Sequence, residues 1–227
     1  MAENGLMILG INIPLSILIQ WGVMVFIIVL VTVLTKRLET IPHGSQIWIE
    51  LIVEKINDLV RANMGEKFIG FAPYIGTIMI YILMLNLIGL LGLRPPTTDY
   101  SVALALALIS FVLIHATAIK NNGLRHYLKG YSEPFPLLLP LNIIERVVVP
   151  VSLSLRLFGN MLAGVIIVEL IYKGLSYLSN MVHIKLPLFA ALIPIPFHIY
   201  FDIFDGIIQM FIFSMLTMIF IKTTSEH

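Results

Sequence analysis

Apolar residues in this chain come in blocks, and the blocks set the architecture. A helix needs about 20 consecutive apolar residues to cross roughly 30 Å of hydrocarbon. Leu15–Thr35, Phe71–Leu93 and Ser101–Ile119 each supply such a block. Two longer ones follow. The fourth runs from about Asn142 to Tyr172, and the fifth ends near Ile221 after starting between Leu188 and Phe197. Pro187, Pro194 and Pro196 make that start irregular, because proline breaks a helix interior. The pattern predicts an all-α integral membrane protein with five transmembrane helices. The run Arg94-Pro95-Pro96-Thr97-Thr98-Asp99 is a turn signal, so residues 71–119 read as a short hairpin. Residues 142–222 read as a long one. Its first arm holds roughly 30 helical residues, about 45 Å of helix, and must tilt, bend or protrude. The chain as a whole, 1–227, reads as a single membrane domain.

Residues 44–63 carry a different pattern. Trp48, Leu51, Ile52, Ile56, Leu59 and Val60 fall on one helical face, and Glu50, Glu54, Asn57, Asp58 and Arg61 largely on the other. This predicts an amphipathic helix lying in the membrane interface, with Ser45 as its cap.

Composition narrows the chemistry. Only 12% of residues are charged, against about 25% in soluble domains, so lipid is the solvent for most of the chain. There is no cysteine, which excludes disulfides, thiolate metal sites and a cysteine nucleophile. A net charge of +1 without a basic cluster gives no sign of nucleic acid. No metal site or cofactor is expected, no P-loop is present, and no internal repeat points to an inverted-repeat transporter. Lys36, Arg37, Lys55, Arg61, Lys67, Lys120, Arg125, Lys129 and Lys222 fall on one side of the spans, with Arg146 at that membrane edge, and Arg94, Lys173 and Lys185 on the other. The positive-inside rule then puts the N-terminus outside and the C-terminus in the cytoplasm.

Polar residues inside spans carry the function. Arg156 lies far from both ends of the fourth span, where an arginine costs at least about 2.5–3.5 kcal/mol. It cannot deprotonate to escape that cost. Its own helix offers no carboxylate, because Glu145 is eleven residues earlier and Glu169 thirteen later. A partner must come from the fifth span or from another chain. Ser152, Arg156, Gly159 and Ala163 share one stripe, a small-residue face that lets a helix approach closely. Asn160 adds an amide one turn beyond. On the fifth span His198, Asp202, Asp205 and Gln209 follow at i, i+4, i+7 and i+11, which predicts one polar face. If that helix starts at Phe197, Asp202 and Asp205 lie about 8 and 12 Å deep and mark an outer entrance with Glu169, with Glu145 at an inner one. If it starts at Leu188, either aspartate reaches Arg156, and the pair is a buried lock between two helices. Asn86 and Gln20 read as interhelical hydrogen-bonding residues, and His115 as a satisfied span histidine.

Three runs carry a resemblance: Pro140-Leu141-Asn142-Ile143-Ile144-Glu145, Ser154-Leu155-Arg156-Leu157-Phe158-Gly159-Asn160-Met161-Leu162-Ala163-Gly164, and Gln209-Met210-Phe211-Ile212-Phe213-Ser214-Met215-Leu216-Thr217. Together they closely resemble subunit a of the bacterial F-type ATP synthase, and the likeness extends over essentially the whole chain. The resemblance implies a stator subunit of a rotary motor in the plasma membrane, with no enzymatic activity of its own. Its long tilted hairpin would face a ring of c subunits, and two offset half-channels would reach the ring carboxylate. Subunit b of the stalk, other synthase subunits and lipid are the implied partners. Arg156 matches the family's essential arginine. Asn160 and Gln209 match polar residues near it, and Glu145 an acidic residue near the inner path. Many members carry Glu or His where this chain has Val165, so the resemblance leaves the outer path to Glu169, Asp202 and Asp205. The transported ion, H⁺ or Na⁺, stays open. A self-contained cation transporter or channel is the alternative, and it differs in moving ions when reconstituted alone.

Overall fold

Prolines and glycines punctuate the helices. In the computed structural model, residues 6–8, 11–36, 38–130, 135, 137, 139–181 and 193–226 are described. The N-terminal segment forms a small antiparallel hairpin, β1 (Leu6–Ile8) and β2 (Ile11–Ile13), which the hydropathy pattern does not predict. Pro14, extended, then opens α1 (Leu15–Leu34). The amphipathic segment is α2 (Ser45–Met64), and it ends at Gly65, whose φ of 92° closes the helix as side-chain-bearing residues rarely can. The predicted serine cap is corrected. Gly44 occupies the cap position and Ser45 is already the first helical residue, with no side-chain bond capping the helix.

A 3₁₀ turn (Glu66–Phe71) leads into α3 (Ala72–Leu87), a second such turn (Ile88–Leu91) ends that span, and a third (Pro96–Thr98) sits in the hairpin loop. Asp99 caps α4 (Tyr100–Asn122) by accepting from the Ser101 backbone N–H at 3.1 Å. Burial alone would raise the Asp99 carboxyl, but the Ser101 and Ser16 hydrogen bonds and the charge of Arg94 outweigh it and hold it below its ordinary value. A short helix, α5 (Leu124–Gly130), turns back against α4 through a Tyr127 hydroxyl–His115 Nδ1 bond of 2.5 Å. His115 is thus satisfied, as expected.

The long hairpin is longer than the apolar run alone implied. Its first arm, α6, spans Leu139–Met181, 43 residues, or about 65 Å. Pro150 lies inside it and removes one ladder hydrogen bond. Residues 182–192, including the predicted start at Leu188, lie outside the described part. The second arm begins at α7 (Pro194–His198), passes through a π-helical segment (Ile199–Asp205) and continues as α8 (Gly206–Glu226). Pro194 sits in the first turn, where its missing N–H has no helical partner to lose.

Among the described residues, five helical stretches are long and apolar enough to cross a membrane. The chain is an all-α integral membrane protein apart from its small hairpin. α4 packs against both α6 and α8, and α3 against α8. One core joins Val23, Ile82, Leu85, Ala103, Ala107, Leu153, Leu157 and Phe213. A second joins the end of α2 to the hairpins through Val60, Met64, Ile75, Ile114, Met218 and Ile221. In lipid these contacts gain little from excluding water, so close packing and polar pairs carry the specificity. α1 contributes only Val23 to the buried set. The first half of α2 leaves Trp48 68% exposed and Ile52 51% exposed, an apolar face free for the membrane interface.

Asn86 ties three elements together. It is fully buried, accepts from the Thr97 hydroxyl at 3.0 Å and donates to the Gly206 carbonyl at 3.4 Å. It is the interhelical residue its position predicted. Gln20 is not, because its amide donates to Ser16 of its own helix. Replacing Asn86 by Ala strands the Thr97 hydroxyl. We expect a cost of about 1–2 kcal/mol, read as a lower thermal midpoint of the purified complex.

Candidate functional site

Three side-chain groups line up along α6 and the second arm of the hairpin. Arg156 is half-buried on α6 and forms no ion pair with any described residue. Its stripe is uncovered: Ser152 and Ala163 are exposed, and a methyl on Gly159 would meet nothing within 4 Å. The opposite face of α6, with Leu153, Ser154, Leu157 and Met161, is the one buried in the chain's own core. The small-residue face therefore looks outward.

One turn along, Asn160 donates its amide to Gln209 Oε1 at 3.2 Å. Asn160 is exposed and Gln209 only 2% exposed, so the pair bridges the uncovered face to the interior. Further along, Tyr172 of α6 meets His198 Nε2 at 3.3 Å, and His198 Nδ1 meets Asp202 Oδ2 at 2.7 Å. Asp202 is 7% exposed. It lies against Gly89 at the end of α3, where a methyl would come 2.6 Å from its Oδ1. Only glycine leaves room for the carboxylate there. Phe201 fills the opposite gap against Gly164 of α6.

These contacts set the antiparallel register. Asn160 is level with Gln209 and Tyr172 with His198. Arg156 lies one turn beyond Asn160 in one direction, and the aspartates lie beyond Gln209 in the other. Asp205 is then about 12 Å and Asp202 about 16 Å from Arg156 along the axis. The buried Arg–Asp lock is excluded on this register. Glu145 and Glu169 are both exposed on α6, with no hydrogen bond or ion pair to described residues.

The predicted single polar face on the last helix needs correction. The π-helical segment holds Asp202 and Asp205 and is wider than an α turn, so the regular spacing assumed for the stripe does not hold there. Asp202 and Gln209 are buried, while Asp205 is half-buried and has no partner among the described residues. His198, on the expected polar face but given no role there, joins the site as the partner of Asp202. Tyr172 gave no signal in the sequence beyond its place at the span end. Among the described residues no group of acids and histidines forms a metal site.

A multi-pass helical bundle with an outward-facing intramembrane cation, and acids set apart from it, defines an ion-handling membrane protein. The sequence profile described as ATP synthase A chain matches residues 17–222. The chain is 31% identical over 229 aligned positions to the ATP synthase subunit a, sodium ion specific, of Propionigenium modestum, covering 94% of this chain and 74% of that one. It is 34% identical over 237 positions to ATP synthase subunit a of Bacillus pumilus, covering 96% of each. The corresponding protein of Trichlorobacter lovleyi is 35% identical over 217 positions, covering 93% of this chain and 87% of that one. The chain belongs to the ATP synthase subunit a family. Membership makes it a membrane-sector subunit that works with other ATP synthase subunits in ion transport.

Proposed function

We propose that the chain is the stator that couples ion flow to rotation of a c-subunit ring, with Arg156 as its essential residue. The observation that carries this reading is the uncompensated guanidinium on an uncovered, small-residue face of α6. A half-buried intramembrane cation without an ion-pair partner among the described residues calls for a carboxylate from another chain. A ring helix bearing one carboxylate fits a face whose Cβ positions are small or absent.

In this mechanism an ionised ring carboxylate is stable beside Arg156 and unstable against lipid. As it approaches, the positive charge lowers its affinity for H⁺ or Na⁺, and the ion leaves through one half-channel. A second ion loads the next carboxylate from the other. Arg156 repels free cations and blocks a direct leak between the two paths. Asp202, with Asp205 and Glu169, forms the outer path, and Glu145 the inner one. Asn160 and Gln209 connect the outer path to the arginine. Residues 142–222 face the ring, residues 44–63 lie on the membrane, and 1–227 act as one membrane domain. The chain sits in the plasma membrane with its N-terminus outside and C-terminus in the cytoplasm. Nucleotide chemistry resides on partner subunits, and subunit b of the stalk holds this one still.

Because the chain has no cysteine, Gly159→Cys gives a clean test. Paired with a cysteine beside the ring carboxylate, it is expected to form a disulfide in the intact complex that stops rotation until reduced. A control Cys at Leu157, buried in the chain's own core, is expected to form none. Equal cross-linking at both positions sinks the assignment. The ion is decided separately, by whether Na⁺ protects the ring carboxylate from carbodiimide.

A further inference from the structure

An open cavity of about 360 Å³ lies between the 3₁₀ turn Glu66–Phe71 and the end of α4, and none of the residues of the arginine site line it. Its polar rim is Lys67, Lys120 and Asn121, with Phe71 and Leu113 in its apolar wall. The topology explains the pairing of lysines. Lys67 just precedes α3 and Lys120 lies in the last turn of α4, so the antiparallel hairpin brings both to one edge of the membrane. Neither lysine forms an ion pair with a described residue, and no acid lines the cavity. The adjacent Glu66 is drawn off by Arg61 at 3.2 Å. Lys67 Nζ rests 5.7 Å from the Phe68 ring centroid, a contact that orients the ammonium without neutralising it.

The membrane side of the cavity is equally specific. Ala116 lines it, and Val112 and Ile109 continue along the same exposed face of α4 toward the bilayer centre, 64% and 56% exposed. Two cations at the headgroup level with an apolar track beneath them match an amphiphile with a negative head. A free anion has no use for the track.

We propose that this cavity binds the headgroup of an anionic phospholipid, its phosphate between Lys67 and Lys120 and an acyl chain along Ala116, Val112 and Ile109. Basic recesses at helix ends recognise such headgroups by charge, at a membrane depth where the lipid is already present. The bound lipid bridges the start of α3 to the end of α4 and closes a gap that protein atoms leave open.

The test uses the intact synthase complex, stripped of lipid in detergent and titrated with phosphatidylglycerol while bound lipid is counted by native mass spectrometry. The Lys67→Gln/Lys120→Gln variant is expected to weaken binding at this site by roughly 10- to 30-fold. Both lysines are exposed, so the variant folds, and Lys67→Arg/Lys120→Arg is expected to retain the lipid. Lys36→Gln/Lys55→Gln, which removes equal charge elsewhere, is expected to change nothing. Phosphatidylcholine with the same acyl chains, and inorganic phosphate alone, are expected not to compete. Unchanged phosphatidylglycerol binding in the double glutamine variant overturns the proposal. So does equal binding of phosphatidylcholine, or displacement by inorganic phosphate.

Discussion

Arg156→Ala is expected to abolish ATP synthesis and ATP-driven ion pumping in reconstituted vesicles while leaving the complex assembled. Arg156 is half-buried and has no ion-pair partner among the described residues, so its removal breaks no salt bridge within them. Its charge is another matter. An opposite charge within about 4–6 Å lowers a carboxylate pKa by roughly 1–3 units. On the proposed mechanism its loss is expected to slow ion release from the ring by about 10- to 1000-fold and to remove the stable ionised position of the ring carboxylate. The barrier to free cations falls at the same point. Passive ion flux through the membrane sector is therefore expected to rise as coupled flux disappears. Lysine is a poor substitute, because an ammonium shifts its pKa readily when buried and lacks the planar fork. Vesicle acidification or Na⁺ uptake driven by ATP reads the first effect, and a diffusion potential without ATP reads the second. Intact pumping by the alanine variant refutes the central role of Arg156.

The parts of this molecule legible from residue order were those set by hydropathy and by the cost of burying charge. The spans, the amphipathic α2 and the need of Arg156 for a partner from outside its own helix all follow from transfer free energies, which depend on residue type and position along a helix. The parts that were not legible depend on geometry between elements. Nothing in Ile199–Asp205 announces a π-helical turn, because its residues suit an α-helix equally well. The turn changes the angular spacing from which a single polar face was expected, and Asp205 is half-buried where Asp202 and Gln209 are buried. The reach of α6 was underestimated for a related reason. Its ends, Leu139–Leu141 and Lys173–Met181, are too polar or too short in apolar content to count as membrane, yet they continue the same helix beyond it. The Tyr172–His198 contact depends on the register of two arms joined by residues outside the described part, and no spacing rule supplies it.

Asp202 is the residue on which the outer path is expected to turn, and its loss should look unlike the loss of Arg156. Its carboxylate is buried, bonded to His198 at 2.7 Å and seated where only glycine at position 89 permits it. A negative group held this firmly between Tyr172 at the span end and Gln209 toward the centre is placed to attract a cation in transit. Asp202→Asn preserves the shape and one hydrogen bond to His198 but removes the charge. A unit charge at about 4 Å and an effective dielectric near 20 contributes several kcal/mol of attraction before desolvation offsets it. A net loss of about 1.4–2.8 kcal/mol corresponds to a 10- to 100-fold weaker entry site. The defect lies in loading, so synthesis by this variant is expected to need a 10- to 100-fold higher outer ion concentration for half its maximal rate, while the maximal rate itself falls far less. Excess ion is expected to rescue Asp202→Asn but not Arg156→Ala, because in the proposed mechanism the arginine acts after loading. Asp205→Asn and Glu169→Gln, which remove half-buried and exposed carboxyls without partners among the described residues, are expected to raise the requirement by no more than a few fold. Should either of those variants carry the large effect and Asp202→Asn behave as the parent, ions enter along the exposed side of α6, and the buried His198–Asp202 pair serves only to hold α3 and the last helix together.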